Sequence, residues 1–329
     1  MKITVVYNLP SREMQSTRYV DTDIDTEDSA KEVAQALEAK GAMVDLFPIR
    51  EDTIETISTI QTDVIFNVIE WDGHDLEKNL LAMDLIERLG VPFTGSTRDV
   101  IEKTSNKRLM KTFLNQNNLP TPIWQIFETG QEDIRPDFCY PVIVKTTLIH
   151  CSIGLGRDAI AQNKSDLSSI VQRMVLEFGQ PVFAEEFIVG REFQVTLLEK
   201  QEGLVVLPPA EITFKTQGTE AFLSYESRWV EDSNDFHTSG VKIAEITEEL
   251  LKRFEDISVK AFRLFGIRDY SRLDIRVRDS EIFILEANSN PGLGDDELYG
   301  MTLSYKAAGM TFADFVWEIV QSCVRRNIK

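Results

Sequence analysis

Residues Arg272 to Gly292 read RLDIRVRDSEIFILEANSNPG, and the alternation in this stretch constrains the fold more than any other part of the chain. Leu273, Ile275 and Val277 alternate with Arg272, Asp274 and Arg276, Asp279-Ser280 supplies turn residues, and Glu281 to Asn288 resumes as a second strand. The pattern predicts a β-hairpin. Strand side chains alternate faces with period two, so an odd-numbered connection such as Arg278 to Ser280 puts Arg272, Asp274, Glu286 and Asn288 on one face. A two-residue turn would scatter them. Side-chain oxygens from Asp274, Glu286 and Asn288 on one face suit a hard cation such as magnesium, which takes carboxylate, water and phosphate oxygens. For any one of these acids alone, an ordinary hairpin facing water is the simpler account. The polar turn Asn288-Ser289-Asn290-Pro291-Gly292 directly behind a carboxylate favours the cation site.

With 329 residues and 43% apolar content, the chain can build a sizeable core divided among two or three domains. Its net charge of -19 argues against a nucleic-acid or acidic-membrane partner, so an anionic substrate must meet a local cationic pocket. Cys139, Cys151 and Cys323 are far apart, odd in number and without a CxxC pair, which fits a reducing compartment and a cytoplasmic protein. No secretory h-region opens the chain and no run of about 18 apolar residues occurs.

The chain reads in three blocks. In the first, strands at 2–7, 43–49 and 63–70 alternate with helices at 29–40 and 76–89, and Val91-Pro92-Phe93-Thr94-Gly95-Ser96 follows, as in an open α/β sheet. The second begins with one helix over 100–117, breaks at Leu119-Pro120-Thr121-Pro122, and continues as strands at 123–127, 142–146 and 182–187 around a helix at 165–178. The third carries strands at 192–200, 204–207 and 211–214, a helix at 247–265, the hairpin, and a last helix at 311–325. Neither repeats nor low-complexity tracts occur.

The second block holds cations in places that ask for an anion. Lys107 lies inside the expected helix and Lys145 ends the apolar strand YPVIVK, where an inward ammonium needs a partner such as phosphate. A strand-end lysine snorkelling to solvent is the bland account of Lys145 alone. Cys151-Ser152-Ile153-Gly154-Leu155-Gly156 is a short loop whose glycines let backbone N–H groups approach phosphate oxygens. Glu185, Glu186 and Glu192 alternate around Ile188 and Gly190, suited to an adenine amino group and a ribose hydroxyl.

In order and spacing, VPFTGS, SNKRLMK, PVIVK, CSIGLG, AEEFIVGRE, SRLD and LEANSNPG resemble the ATP-grasp superfamily, in its D-alanine–D-alanine ligase-like branch, over most of the chain. The resemblance implies an α/β fold, α+β in the ATP-grasp part. A Rossmann-like N-terminal domain over 1–98 would precede two subdomains, 99–188 and 189–329, that clamp ATP. It implies that Lys107 and Lys145 bind phosphates, that Ser152 lies in the loop closing over them, that Glu185 and Ile188 contact adenine, and that Glu192 contacts ribose. Asp274, Glu286 and Asn288 would hold two magnesium ions, manganese being the alternative. Arg272 would stabilise an acyl phosphate, and Arg228 stands about where the family places a phosphate-binding lysine. The implied activity joins a small-molecule carboxylate to an amine, with a homodimer as the family's frequent assembly. Cys151 is read as a small loop residue, since that route needs no covalent enzyme intermediate.

The substrate side departs from the D-alanine ligases. A serine expected after the Asn-x-x-Pro-Gly turn is displaced by Gly294-Asp295-Asp296-Glu297, acids that would repel a carboxylate and attract an ammonium, unless they form a solvated loop. The family's acidic-Asp-Gly motif is altered to Glu70-Trp71-Asp72-Gly73-His74-Asp75, and Cys151 replaces a serine. Glu70, His74, Cys151, Asp295, Asp296 and Glu297 are therefore the candidate substrate residues. Three readings follow: a ligase acting on an amino acid, a peptide or a specialised metabolite; a D-alanine–D-alanine ligase; or a non-catalytic nucleotide-binding regulatory protein.

Overall fold

The computed structural model describes residues 1–10, 21–71, 75–148, 152, 154–230, 232–233 and 235–328, without the side chains of 21–25 and 229. The buried run β1 (Lys2–Asn8) is the centre of a parallel sheet, with β2 (Met43–Ile49) and β3 (Val64–Asn67) on either side. A central parallel strand is covered on both faces, and its alternation sorts the covers. Ile3 and Val5, with Phe66 of β3, face α1 (Asp21–Ala39), while Val6 and Ile65 face α2 (Leu76–Arg88). Helix α1 begins about two turns earlier than 29–40, because Asp21 to Asp28 form its first turns rather than a loop. Carboxylates are favourable there, beside the unpaired N–H groups of a helix start. The chain leaves this helix through Gly41 at φ +81°, a left-handed conformation that glycine adopts without a Cβ penalty.

The helix expected over 100–117 is two helices, α3 (Arg98–Ser105) and α4 (Lys107–Gln116). Asn106 between them is extended, and its side chain accepts a hydrogen bond from Leu109 N at 3.2 Å, capping α4. Lys107 therefore starts a helix instead of lying inside one, and its N–H donates to Thr147 O at 3.2 Å beside the end of a strand.

Next comes an antiparallel sheet of β4 (Trp124–Phe127), β5 (Val142–Thr146), β6 (Ile160–Ala161) and β7 (Val182–Glu186), ordered β4-β7-β5-β6. One face buries Val142, Val144 and Ala184 against α5 (Lys164–Phe178). The register pairs Ile143 with Glu185 and Lys145 with Phe183, so these four share the opposite face.

A second antiparallel sheet contains β8 (Arg191–Lys200), β9 (Gly203–Val206), β10 (Ala210–Phe214) and, after α6 (Tyr225–Trp229), β11 (Ser239–Ile243). Helix α7 (Glu248–Phe265) covers it, and the hairpin β12 (Tyr270–Arg278) and β13 (Glu281–Asn288) completes it in the order β11-β10-β8-β12-β13. Phe193, Val195, Leu197, Leu273 and Ile275 form the core beneath α7. Glu192, Gln194, Arg272, Asp274 and Arg276 stand on the other face, as the β8–β12 register requires.

After α8 (Gly300–Ala307), α9 (Phe312–Asn327) returns to the first layer. Phe315, Val316, Ile319 and Val320 share one core with Ile3, Val5, Val33 and Leu37. The ion pair between Lys40 and Asp314, 2.5 Å, joins α1 to α9. No helix among the described residues is long and apolar enough to cross a membrane.

Candidate active site

The hairpin has a two-residue turn, Asp279-Ser280, with Arg278 opposite Glu281. Uncorrected, that register would scatter the acids. It is corrected inside β13: Ile275 pairs with Ile284 but Asp274 pairs with Glu286, so Leu285 is an extra residue in a β-bulge. The connection is thus even-numbered, and the odd residue that aligns the four side chains comes from elsewhere. The one-residue insertion sits in the strand and brings Arg272 opposite Asn288 and Asp274 opposite Glu286. Leu285 and Glu286 consequently both line the cleft between the two antiparallel sheets.

Arg272 holds Asp274 with two hydrogen bonds, Nε to Oδ1 at 2.7 Å and Nη2 to Oδ2 at 3.0 Å. Asn288 Nδ2 donates to Asp274 Oδ2 at 3.2 Å. Burial works against the Arg272 charge, but the carboxylates of Asp274, Glu286 and Glu70 outweigh it and leave its pKa raised. Two carboxylates and an amide are a donor set that fits magnesium, although among the described residues no three His, Cys, Asp or Glu side chains gather as a ready cage. That matches a metal completed by water and phosphate oxygens rather than by protein alone.

Across the cleft, Lys145 Nζ lies 2.9 Å from Glu185 Oε1, and Lys111 Nζ lies 2.8 Å from Glu185 Oε2. The second contact is an ion pair lacking the direction of a good hydrogen bond. Burial disfavours the Glu185 carboxylate, yet the two ammonium groups prevail and its pKa is lowered. Lys145 is likewise opposed by burial and raised on balance by Glu185 and Glu286, whereas for Lys111 burial wins and the pKa is lowered. Lys107 lines the same cleft.

The apolar part of the cleft is made by Ile143, Leu155, Phe187, Ile188, Phe222 and Leu285. Glu192 beside it is held by Arg276 through bonds of 2.9 and 2.6 Å, and Arg276 also donates to Ile188 O at 2.8 Å and Ala221 O at 2.5 Å. The glycine loop bridges the lobes: Ser152, at φ +59°, donates from Oγ to Leu223 O at 3.2 Å, and Tyr225 N donates to Leu155 O at 3.0 Å. Arg228, on α6, faces the cleft.

At the far end Glu70, whose N–H donates to Asn8 Oδ1 at 2.7 Å, sets its carboxylate over Gly292. A Cβ on Gly292 would come within 2.9 Å of Glu70 Oε1, so a larger residue there would push the carboxylate aside. Gly294 and Tyr299 also line the cleft, but Asp295, Asp296 and Glu297 do not. Lys306 Nζ is 3.1 Å from both Asp295 Oδ1 and Glu297 Oε1, and Asp296 Oδ1 accepts from Leu298 N at 2.9 Å. His74 and Cys151 lie outside the described residues.

The structure thus gathers Glu70, Lys107, Lys145, Ser152, Glu185, Ile188, Glu192, Arg228, Arg272, Asp274, Glu286 and Asn288 on one cleft. Arg276 also lines it and Lys111 lies behind it against Glu185, and sequence reasoning missed both. For Lys111 a signal existed: Lys107, Met110, Lys111 and Leu114 are buried at helical i, i+3, i+4, i+7 spacing, so two lysines occupy an otherwise apolar stripe.

The model of the D-ala D-ala ligase C-terminus family matches residues 113–321. The chain is 30% identical to a D-alanine–D-alanine ligase of Desulforudis audaxviator over 91% of its length and 93% of the relative's. It is 34% identical to the uncharacterised protein y4sG of Sinorhizobium fredii over 74% and 69% of the two lengths. The crystal structure of D-alanine–D-alanine ligase from Bacillus anthracis complexed with ATP superposes with a TM-score of 0.74 at 20% identity, covering 99% of this chain and 98% of that one. VanG D-Ala:D-Ser ligase from Enterococcus faecalis gives 0.73 at 18% identity, over 98% and 99% of the two chains. Fold and matches together define an ATP-grasp ligase, an enzyme that forms a carbon–nitrogen bond between a carboxylate and an amine with release of ADP. The chain belongs to the D-alanine–D-alanine ligase family.

Proposed function

We propose that this ligase works through an acyl phosphate, on an amino acid, a peptide or a specialised metabolite. The observation that carries the reading is the bulged hairpin, which turns Arg272, Asp274, Glu286 and Asn288 toward Lys107 and Lys145 across a single cleft. The adenine would lie among Ile143, Phe187, Ile188, Phe222 and Leu285, near the backbone beside Glu185, with Glu192 toward the ribose. Lys107, Lys145 and Arg228 would meet the phosphates. Asp274, Glu286 and Asn288 would hold two magnesium ions, with manganese as the alternative, supplying charge neutralisation between the phosphates.

A carboxylate is a poor electrophile, so one of its oxygens attacks the γ-phosphorus and ADP leaves. Arg272 and Lys145 offset the negative charge that builds up on the transferred group. The amine nitrogen then attacks the acyl carbon, the carbon–oxygen bond to phosphate breaks, and the amine proton leaves. Backbone N–H groups about Gly292 and the Arg272 guanidinium oppose the transient oxyanion. The loop from Ser152 to Gly156, docked on Leu223 and Tyr225, keeps out the water that would hydrolyse the acyl phosphate. Glu70, over Gly292 at the far end, is the carboxylate in this reading that meets a substrate ammonium.

The domain division that accompanies this reading is 1–98, 99–188 and 189–329, with α9 packed back on the first unit. The enzyme would act in the cytoplasm on small molecules, without nucleic-acid or membrane partners, and light scattering would test for a homodimer. The named relatives favour a second reading, a true D-alanine–D-alanine ligase. ADP release from ATP and magnesium, measured with single amino acids and then with pairs, tests both. Release that requires a carboxylate and an amine supports the ligase reading, and D-alanine sufficing alone selects the second. Release indifferent to every added carboxylate and amine would overturn both.

A further inference from the structure

Lys111 is 1% exposed and reaches no bulk water, yet its ammonium meets three groups from three parts of the chain. Nζ donates to Thr121 Oγ1 at 2.8 Å and to Ile284 O at 3.3 Å, and it lies 2.8 Å from Glu185 Oε2. Two hydrogen bonds and an opposite charge at contact distance are the conditions under which a buried ammonium is tolerated. Each acceptor leads to the cleft. Glu185 holds Lys145 at 2.9 Å through its other oxygen. Ile284 directly precedes Leu285 and Glu286, the bulged pair, and its carbonyl also accepts from Thr121 Oγ1 at 2.9 Å while its N–H donates to Pro120 O at 2.9 Å.

We infer that Lys111 is a positioning residue that leaves the charge of Lys145 uncompensated toward the nucleotide phosphates by taking up the Glu185 carboxylate, and pins the bulge that aims Glu286. This rests on the reading of the cleft as a nucleotide site. The charge count makes the first part concrete: Glu185 with Lys145 alone sums to zero, whereas Glu185 with both lysines leaves one net positive charge facing the cleft. In a site sheltered from water, one uncompensated cation decides whether polyphosphate binds.

The test is binding of ADP with magnesium and, separately, of adenosine, each by displacement of a fluorescent ADP analogue. The wild type is compared with Lys111→Met, Lys111→Arg and the double variant Lys111→Met/Glu185→Gln. Lys111→Met should lower the ratio of ADP to adenosine affinity about tenfold or more, because phosphates sense the charge and adenosine does not. Lys111→Arg should recover part of the ratio. The double variant should recover most of it, since a neutral amide at position 185 no longer cancels Lys145. A merely structural lysine would weaken both ligands together and leave the ratio unmoved, which would overturn the inference, as would failure of the double variant to recover the ratio. If Lys111→Met does not fold, the charge-balanced double variant still decides the matter by its own ratio. Absence of ADP binding by the wild type would instead overturn the nucleotide site itself.

Discussion

At the end of the cleft proposed for the nucleotide, Glu185 and Lys111 are buried, and Glu185 pairs with both Lys111 and the half-buried Lys145. Beyond the other end, outside the cleft, Asp295, Asp296 and Glu297 are exposed against Lys306, the Tyr305 hydroxyl and a backbone N–H. Both segments are charged, and composition alone does not separate them. Burial and partner do. A desolvated carboxylate survives only with fixed cations beside it, which makes its geometry specific, whereas exposed pairs are screened and hold little in place. The carboxylate that does enter the far end is Glu70, seated on Gly292 and lining the cleft, whereas the acids that follow Gly294 do not line it.

The largest effect should come from the metal face of the hairpin. Glu286→Gln keeps the shape of the side chain and removes its charge, and the rate of ADP release should fall by about a hundredfold or more while circular dichroism and thermal unfolding stay close to the wild type. Unchanged turnover would remove Glu286 from the metal set and dissolve the contrast between the two ends. Glu70→Gln is the next step down. It should raise the KM for the ammonium-bearing substrate about tenfold, the cost of losing one charged hydrogen bond, without altering ADP affinity. If ADP affinity falls instead, Glu70 belongs to the nucleotide end.

Much of this arrangement could be read from the residues, and the losses have local causes. Most strands and the longer helices were legible through alternation and helical spacing, within a residue or two at most boundaries, whereas the short elements β6, β11, α6 and α8 were not. The hairpin was legible as a pair of strands, but its register was not: Ile282, Phe283, Ile284 and Leu285 are all apolar, so the run carries no period-two signal that would locate an inserted residue. The break at Asn106 was hidden because Val100, Ile101, Met110 and Leu114 keep helical spacing on both sides of it. The return of α9 to the first layer, more than 270 residues from its partners on β1, leaves no local trace. Lys111 was passed over because a lysine in a helix is ordinarily on the solvated face.

Acid should loosen the nucleotide end from within. The pKa of Glu185 in the folded state is held below the ordinary carboxylate value of about 4.3, so the unfolded chain binds its proton first. Its contribution to stability is therefore complete above that ordinary value and is lost as pH falls toward the depressed folded one. Thermal unfolding between pH 7 and pH 3 should show this loss in the wild type. Glu185→Gln, less stable at pH 7 because the buried Lys111 and the half-buried Lys145 have lost their partner, should show a shallower decline. Parallel curves for the two proteins would mean that the fold leaves the pKa of Glu185 where it is in the unfolded chain.

The smallest effect should lie in the acidic loop, and it is the sharpest check on the comparison because chemistry alone would assign these acids to an ammonium. Asp296→Asn with Glu297→Gln removes two negative charges next to the cleft mouth. The amide oxygen introduced at position 296 can still accept from Leu298 N, and the Lys306 pair with Glu297 is exposed on both sides, so stability should change by no more than about 0.5 kcal/mol. The KM for the ammonium substrate should move less than about twofold at physiological ionic strength, since the screening length there is about 8 Å and neither side chain lines the cleft. A tenfold rise, comparable with Glu70→Gln, would show that the loop turns inward when substrate binds. Repeating the measurement at low salt separates the two possibilities: a distant charge gains influence as screening weakens, whereas a direct contact is nearly indifferent to salt.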